Sequence, residues 1–188
     1  MTVSPQSHHD YSFAEYLALE RDSDIKHEFD TGEILAMAGG TARHSALAVN
    51  VAFALRGARP SGCTVFQSDM RIRVVATGRA TYPDVSMVCG EIVYDAEDVA
   101  RTTITNPVLL VEVLSVTTEK GDRGNKWMHY QRIPSLQEYV LVSQEPRIER
   151  FRRLPAGGWE YTETHEGTVK LACGPELDLA TLYADLPE

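Results

Sequence analysis

The run Val108-Leu109-Leu110-Val111-Glu112-Val113-Leu114 is apolar at every position except Glu112. Continuous apolarity over the length of a strand, without alternation, is typical of a β-strand covered on both faces. The run therefore predicts a sheet with other elements packed against each side. The Glu112 carboxyl group is expected to be buried there, where its ionised form is costly unless it is paired, coordinates a cation or takes up a proton.

Helix and strand patterns follow one another along the rest of the chain. Ser12 and Glu15 fit a capping box at the start of a short helix that ends near Arg21, and Thr41 can cap a longer, largely buried helix that ends before Gly57. A third helix is predicted over residues 122–133. Strands are predicted at 64–75 with a kink at 68–69, at 84–89, 108–115 and 138–142, and in hairpins at 26–37 and 147–173. This order predicts an α/β (α+β) fold, a mixed β-sheet flanked by helices, with additional antiparallel hairpins.

The length of 188 residues suits one domain, so a single domain over residues 1–188 is expected, with residues 1–10 as a flexible tail. No apolar run approaches the roughly 18 residues that a membrane-spanning helix needs. The first ten residues also lack the basic-then-apolar layout of a secretory signal. These observations exclude a transmembrane protein and predict a cytoplasmic location.

The charge balance and the cysteines exclude further classes. With 18 Lys and Arg against 27 Asp and Glu, the net charge is −9, which argues against nonspecific coating of nucleic acid but allows a local basic groove. Cys63, Cys89 and Cys173 form no C-x-x-C pair and are odd in number. They are predicted to be reduced, buried thiols rather than a disulfide framework or a zinc site.

Two carboxylates stand out as candidate metal ligands. Asp84 follows Pro83 and opens the apolar run 85–88, which places it at the end of a strand. If that strand neighbours the strand of Glu112, the two acids meet at one sheet edge and a divalent cation would relieve their repulsion. Oxygen ligands without a cysteine or multi-histidine set favour Mg²⁺ over zinc. The alternative is that Glu112 pairs with an internal arginine and Asp84 caps a turn, and the residues alone favour neither.

Asp122, Lys126 and Tyr130 recur at intervals of four, so a helix would point all three the same way. Lys126 could then reach the pocket of Glu112 and neutralise a developing anion or hold a water molecule. The alternative is an ordinary surface pair between Asp122 and Lys126, worth about 0.3–0.5 kcal/mol, and taken alone this is the favoured interpretation.

Two weaker candidates are His44 and Glu28. His44 lies in the first turn of the long helix, where the helix dipole disfavours imidazolium and would leave a neutral base or ligand. A hydrogen-bonded structural histidine is the alternative. Glu28 lies just before the predicted hairpin turn.

The combination resembles the Uma2 family of putative restriction endonucleases, over nearly the whole chain. The motifs that carry the resemblance are Tyr82-Pro83-Asp84-Val85, Val111-Glu112-Val113-Leu114-Ser115, Asp122-x-x-x-Lys126-x-x-x-Tyr130 and Glu138-Tyr139-Val140-Leu141-Val142, with Glu28 to Ile34, His44 and Ser68-Asp69-Met70-Arg71-Ile72 in support.

The resemblance implies the PD-(D/E)XK nuclease core, in which Asp84 and Glu112 bind Mg²⁺ or Mn²⁺. The superfamily motif places its lysine two residues after the Glu, where this chain has Leu114. The resemblance suggests that Lys126 substitutes for it in space, and that His44 or Glu28 completes the site. It also implies a homodimer and DNA as the substrate.

Hypotheses from different classes follow, and one of them, hydrolysis of a smaller phosphoester, is not distinguished by the residues from the leading one. The leading hypothesis is a metal-dependent endonuclease that hydrolyses phosphodiester bonds in DNA. The alternative is a catalytically inactive nuclease-fold module for binding or assembly, which Leu114 and the net charge favour. Basic residues that could hold a phosphate backbone, or merely form a solvated face, are Lys120, Arg123, Lys126, Arg132, Arg147, Arg150, Arg152 and Arg153.

Overall fold

The computed structural model describes residues 10–115 and 119–187; most of the predicted tail, residues 1–9, lies outside them. The elements in chain order are α1 (Phe13–Asp22), β1 (His27–Asp30), β2 (Glu33–Ala36), α2 (Ala42–Ala58), β3 (Cys63–Gln67), β4 (Arg71–Val74), β5 (Arg79–Thr81), β6 (Val85–Cys89), β7 (Thr103–Ile104), β8 (Leu109–Val113), α3 (Glu119–Gly121), a π-helical segment (Asp122–Lys126), α4 (Trp127–Tyr130), β9 (Glu138–Val142), β10 (Ile148–Arg153), β11 (Trp159–Thr164), β12 (Thr168–Lys170), β13 (Glu176–Asp178) and α5 (Leu179–Leu182).

The main sheet has six strands in the order β11-β10-β9-β8-β6-β3. β8 and β9 are parallel, and the other pairs are antiparallel, so the predicted mixed sheet is confirmed. All five residues of β8 are buried. Leu109, Val111 and Val113 contribute to a core shared with α2, whereas Leu110 and Leu114 belong to a second core with Tyr130. The unbroken apolar run is therefore explained by a strand that is covered on both faces.

A second sheet has five strands in the order β2-β1-β5-β4-β7. The run predicted as one kinked strand over 64–75 is two strands in different sheets, because the chain turns between Gln67 and Met70. Before this turn β3 pairs with β6, and after it β4 pairs with β5 and β7. The short strands β5, β7 and β13 and helix α5 were not predicted, since two to four residues are too few to show a period.

The helix starts predicted from Ser12 and Thr41 are confirmed, whereas the third helical run begins at Glu119, three residues before the predicted start. The Ser12 hydroxyl accepts a hydrogen bond from the Glu15 backbone, and the Glu15 carboxylate accepts one from the Ser12 backbone. The Thr41 hydroxyl caps α2 by accepting from the His44 backbone at 3.2 Å. The third helical run, residues 119–130, is the site helix, which carries Asp122, Lys126 and Tyr130. It ends earlier than the predicted residue 133, because the chain leaves the helix in a turn before Pro134.

The prediction of three reduced thiols is wrong for two of them. Cys63 and Cys89 form a disulfide between β3 and β6, and Cys173 is a free, buried thiol. The antiparallel register places Cys63 directly opposite Cys89, although 26 positions separate them in the chain. Cysteine spacing does not reveal such a pairing, because only the register of the two strands creates it.

No helix within residues 10–115 and 119–187 combines the length and the apolarity needed to cross a bilayer.

Candidate active site

Asp84 and Glu112 lie side by side at the end of two neighbouring strands. β6 and β8 pair with Val85 opposite Val111, so Asp84, which directly precedes β6, is brought beside Glu112. The Val113 backbone N–H donates a 2.7 Å hydrogen bond to Asp84 Oδ2. The predicted meeting of the two acids at one sheet edge is therefore what the register produces.

Glu112 is buried, with 3% of its surface exposed. Its Oε1 accepts hydrogen bonds from the Lys126 ammonium at 3.0 Å and from the Tyr130 hydroxyl at 2.9 Å. Burial raises the pKa of Glu112 to about 8, and the carboxylates of Asp122, Asp84 and Glu28 add to the rise, while Lys126 opposes it. Among the described residues its ion-pair partner is a lysine, so the alternative of an internal arginine is wrong.

Lys126 is held by three carboxylates. Its Nζ lies 3.0 Å from Glu112 Oε1, 3.0 Å from Asp122 Oδ1 and 3.4 Å from Glu28 Oε1. Burial alone would lower the pKa of Lys126, but the neighbouring carboxylates outweigh it and hold the pKa well above its usual value. The side chain is only 12% exposed, so the interpretation of an ordinary surface pair with Asp122 is wrong.

Glu28 reaches the site from β1, in the second sheet. Arg79 Nη2 donates to Glu28 Oε2 at 2.8 Å, and the Thr81 hydroxyl donates to Glu28 Oε1. Burial raises the pKa of Glu28, but Lys126, Thr81 and Arg79 together lower it below its usual value. Arg79 and Thr81 were missed because they lie on β5, which is too short to be recognised in the sequence.

His44 contacts the other acid. Its Nε2 lies 3.3 Å from Asp84 Oδ2, at the start of α2. The hydrogen bond to Asp84 raises the pKa of His44, and burial opposes this only in part. The predicted lowering by the helix dipole is overruled, because a carboxylate in direct contact acts on the imidazole more strongly than the partial charge of a helix end.

The donor set fits a hard divalent cation. Among the described residues, the hydrogen bonds and ion pairs of Asp84 and Glu112 use Asp84 Oδ2 and Glu112 Oε1. No group of three or more His, Cys, Asp or Glu in the described ranges is placed to hold a metal ion. Two carboxylates suffice for Mg²⁺, which is commonly bound by one or two of them together with water and substrate oxygens.

The arginines predicted as a phosphate-holding surface are largely engaged within the protein. Arg123 contacts Glu149, Arg152 Nη2 lies 2.8 Å from Glu160 Oε2, and Arg150 Nη1 lies 3.6 Å from Glu138 Oε1. Arg153 donates to the backbone oxygens of Leu136 and Ile133. These side chains therefore stabilise β10 and its neighbours through contacts within the protein, which neither the phosphate-holding nor the solvated-face interpretation expected.

The chain is similar in sequence or in fold to known proteins. Two uncharacterized proteins of Synechocystis sp. are similar in sequence: slr1290 is 39% identical over 148 residues, covering 77% of this chain and 75% of that protein, and sll1609 is 36% identical over 154 residues, covering 80% and 85%. The crystal structure of a putative nuclease belonging to DUF820 from Anabaena variabilis superposes with a TM-score of 0.66. That alignment has 16% identity and covers 86% of this chain and 92% of the other, which shows a shared fold.

The family model described as "Putative restriction endonuclease" matches residues 13–183. That range contains Glu28, His44, Asp84, Glu112 and Lys126, the five residues that the fold brings together. The chain therefore belongs to the Uma2 family of putative restriction endonucleases.

Proposed function

We propose that the chain is a metal-dependent endonuclease that hydrolyses phosphodiester bonds in DNA, with Mg²⁺ or Mn²⁺ held by Asp84 and Glu112. The observation that carries the proposal is the buried Lys126 ammonium, 3.0 Å from one of two carboxylates on neighbouring strands. Two carboxylates can hold a cation that polarises a phosphoryl oxygen, and an ammonium beside them can stabilise the negative charge that develops there.

The cation, when bound, supplies Lewis-acid polarisation of the scissile phosphate. Asp84 is kept in place by the Val113 N–H and by His44, both of which contact Oδ2. Glu112 is kept in place through Oε1 by Lys126 and Tyr130. These contacts fix both carboxylates before a ligand arrives, and such preorganisation lowers the cost of binding and of reaching the transition state.

Lys126 is proposed to orient the attacking water and to stabilise negative charge on the phosphate oxygens. Glu28 and Asp122 hold its Nζ at 3.4 and 3.0 Å, so the ammonium is aimed at the acid pair although it comes from a helix rather than from β8. In this way Lys126 replaces a lysine at position 114, where the sequence has leucine.

The test is cleavage of plasmid DNA with millimolar Mg²⁺ or Mn²⁺. We expect Asp84→Asn to abolish cleavage and Lys126→Ala to slow it by about 100-fold or more, the loss typical for removal of one charge-stabilising donor. Lys170→Ala is the matched control, because the Lys170 side chain is 79% exposed on β12, outside the candidate site and outside the basic residues considered for phosphate binding. Full activity of Lys126→Ala would remove the lysine from the mechanism. Should that variant not fold, Lys126→Arg tests whether the position of the charge matters.

A second candidate is a binding or assembly module without catalysis. The engagement of Lys126 by three carboxylates favours it, because an ammonium held in this way already balances part of the acid charge. Thermal unfolding separates the two functions. A metal site stabilises the folded state as Mg²⁺ is added, whereas the module shows neither stabilisation nor cleavage.

The proposal includes a homodimer, because cutting both strands of a duplex is most simply done by two sites related by a two-fold axis. Light scattering of the purified protein tests this; a mass of 20.9 kDa, that of one chain, would contradict it.

A further inference from the structure

A cavity of about 520 Å³ opens beside the acid pair. It is lined by Asp84, by His44 and other residues of α2, and by residues 25–26, 37–40 and 67–68. Its volume lies within the range of about 300–1,000 Å³ that small-molecule sites occupy. The cavity is therefore large enough for a group of nucleoside size next to the proposed site of phosphate cleavage.

The lining of this cavity combines polar and apolar side chains. Gln67, Ser68 and Ser45 contribute amide and hydroxyl groups, and Lys26 contributes a cation that is paired with Asp69. The apolar lining consists of Ile25, Met37, Ala48, Val49 and Ala52. A nucleoside presents apolar faces and hydrogen-bonding edges, so it matches such a lining.

The charge around the cavity also distinguishes it from two others. A cavity of about 880 Å³ near α1 is lined by five carboxylates, and one of about 600 Å³ after β6 is lined by three, counting only their described residues. The cavity beside Asp84 has that residue as the one acid of its described lining. A polyanion is repelled least there, and that cavity alone of the three includes residues of the candidate site.

Gly39 belongs to the lining of the cavity and has open space beside it. A Cβ added to Gly39 would meet nothing within 4 Å, so the space in front of it is open. At Gly40 a Cβ would lie 2.8 Å from His44 Nδ1, so a side chain there would press on a residue that holds Asp84. The pair of glycines leaves room for a strand to approach His44 and Asp84.

We propose that this cavity receives the base and sugar next to the scissile phosphate, in unpaired form. The proposal rests on the proposed nuclease function and narrows its substrate to a nucleotide that is single-stranded or turned out of a duplex. In a continuous duplex a base is stacked and paired, and it can enter a side cavity only after it leaves the stack. Single-stranded DNA avoids that cost, so it is expected to bind more tightly than the same sequence as a blunt duplex.

The test introduces larger side chains into the lining of the cavity. Ala48→Leu adds three carbons inside the cavity on a helix that tolerates leucine, and Ala58→Leu adds the same group at an exposed position of α2 outside the described lining. Fluorescence anisotropy with a labelled 20-nucleotide strand and its duplex, in Ca²⁺, measures affinity without relying on cleavage. Gly39→Leu is a second blocking variant, and it keeps the core untouched.

We expect the native protein to bind the single strand at least tenfold more tightly than the duplex. Ala48→Leu and Gly39→Leu should weaken single-strand binding tenfold or more and change duplex binding less than twofold, whereas Ala58→Leu changes neither. Equal affinity for strand and duplex, or a folded Gly39→Leu variant with unaltered single-strand binding, would overturn the proposal.

Cleavage with Mg²⁺ and Mn²⁺ distinguishes this failure from failure of the nuclease function. If the native protein cuts DNA and the blocking variants cut and bind as it does, the cavity proposal is wrong and the nuclease remains. If single-strand binding is sensitive to the blocking variants and no DNA is cut, the cavity binds nucleotides but the nuclease proposal is wrong. If there is neither binding nor cleavage, both are wrong.

Discussion

Glu112→Gln isolates the effect that ionisation of a carboxyl group buried in the sheet has on the stability of the protein. The substitution retains the shape of the side chain and an oxygen that can accept from Tyr130 and Lys126. It removes the ability to ionise. Lys126 keeps two other carboxylates, Glu28 and Asp122, so the lysine is not left without compensation.

The magnitude follows from the pKa of Glu112, which burial raises from 4.5 to about 8. The folded state thus binds this proton more tightly than the unfolded state, and stability that is fully present below pH 4.5 is lost as the pH rises through 8. At about 1.4 kcal/mol per tenfold difference in proton affinity, the loss is about 3 kcal/mol at pH 7 and about 5 kcal/mol above pH 8. The Glu112→Gln variant has no carboxyl group at this position, so it does not lose this stability as the pH rises.

Urea denaturation of both proteins in EDTA, at pH values from 4.5 to 9, measures the effect. The free energy of unfolding of Glu112→Gln, relative to the native protein, should increase by about 1.4 kcal/mol per pH unit from pH 4.5 to 8 and then level off. Adding Mg²⁺ at pH 8 should stabilise the native protein and not the variant. Exposed Glu166 provides the control Glu166→Gln, which also removes one negative charge. A stability difference that stays constant from pH 5 to 8 would refute the reasoning.

Three further predictions concern the fold around the site. Denatured, unreduced protein should contain one titratable thiol, that of Cys173, and two or three thiols would contradict the pairing of Cys63 with Cys89. The double variant Cys63→Ser/Cys89→Ser should lose about 3 kcal/mol of stability, because the chain between these two positions, 26 apart, is no longer closed into a loop. Arg79→Met leaves two carboxylates of β1 without their guanidinium and should cost about 3–5 kcal/mol in urea unfolding, and a cost under about 1 kcal/mol would contradict this. Thr41→Ala removes the cap of α2 and should cost about 1 kcal/mol by thermal unfolding, with Thr41→Ser restoring it.

The parts of the fold that the sequence predicted are those with a long local pattern. The seven-residue run 108–114 predicted a strand covered on both faces, and β8 is such a strand. Thr41 and the apolar spacing after it predicted α2, because capping and helical periodicity act within a few residues. Strands of two or three residues, such as β5 and β7, have no comparable pattern.

The candidate site was predicted in part. Asp84, Glu112 and Lys126 were selected because a carboxylate in an apolar strand and a lysine one helix later are chemically conspicuous. Their meeting depended on β6 and β8 being neighbours, which the sequence could only state as a condition. The contribution of Arg79 could not be predicted, because it reaches Glu28 from β5, the neighbouring strand of the same sheet, and three residues are too few to reveal that strand in the sequence.

The sequence by itself determined the buried strand, the helices that begin at Thr41 and Ser12, and the chemical identity of the acids and the lysine, because these depend on side-chain type and on spacings of a few residues. Only the tertiary structure decided that Asp84 lies beside Glu112, that three carboxylates surround Lys126, and that Cys63 faces Cys89. Such contacts depend on strand order and register, which are set by the packing of residues far apart in the chain.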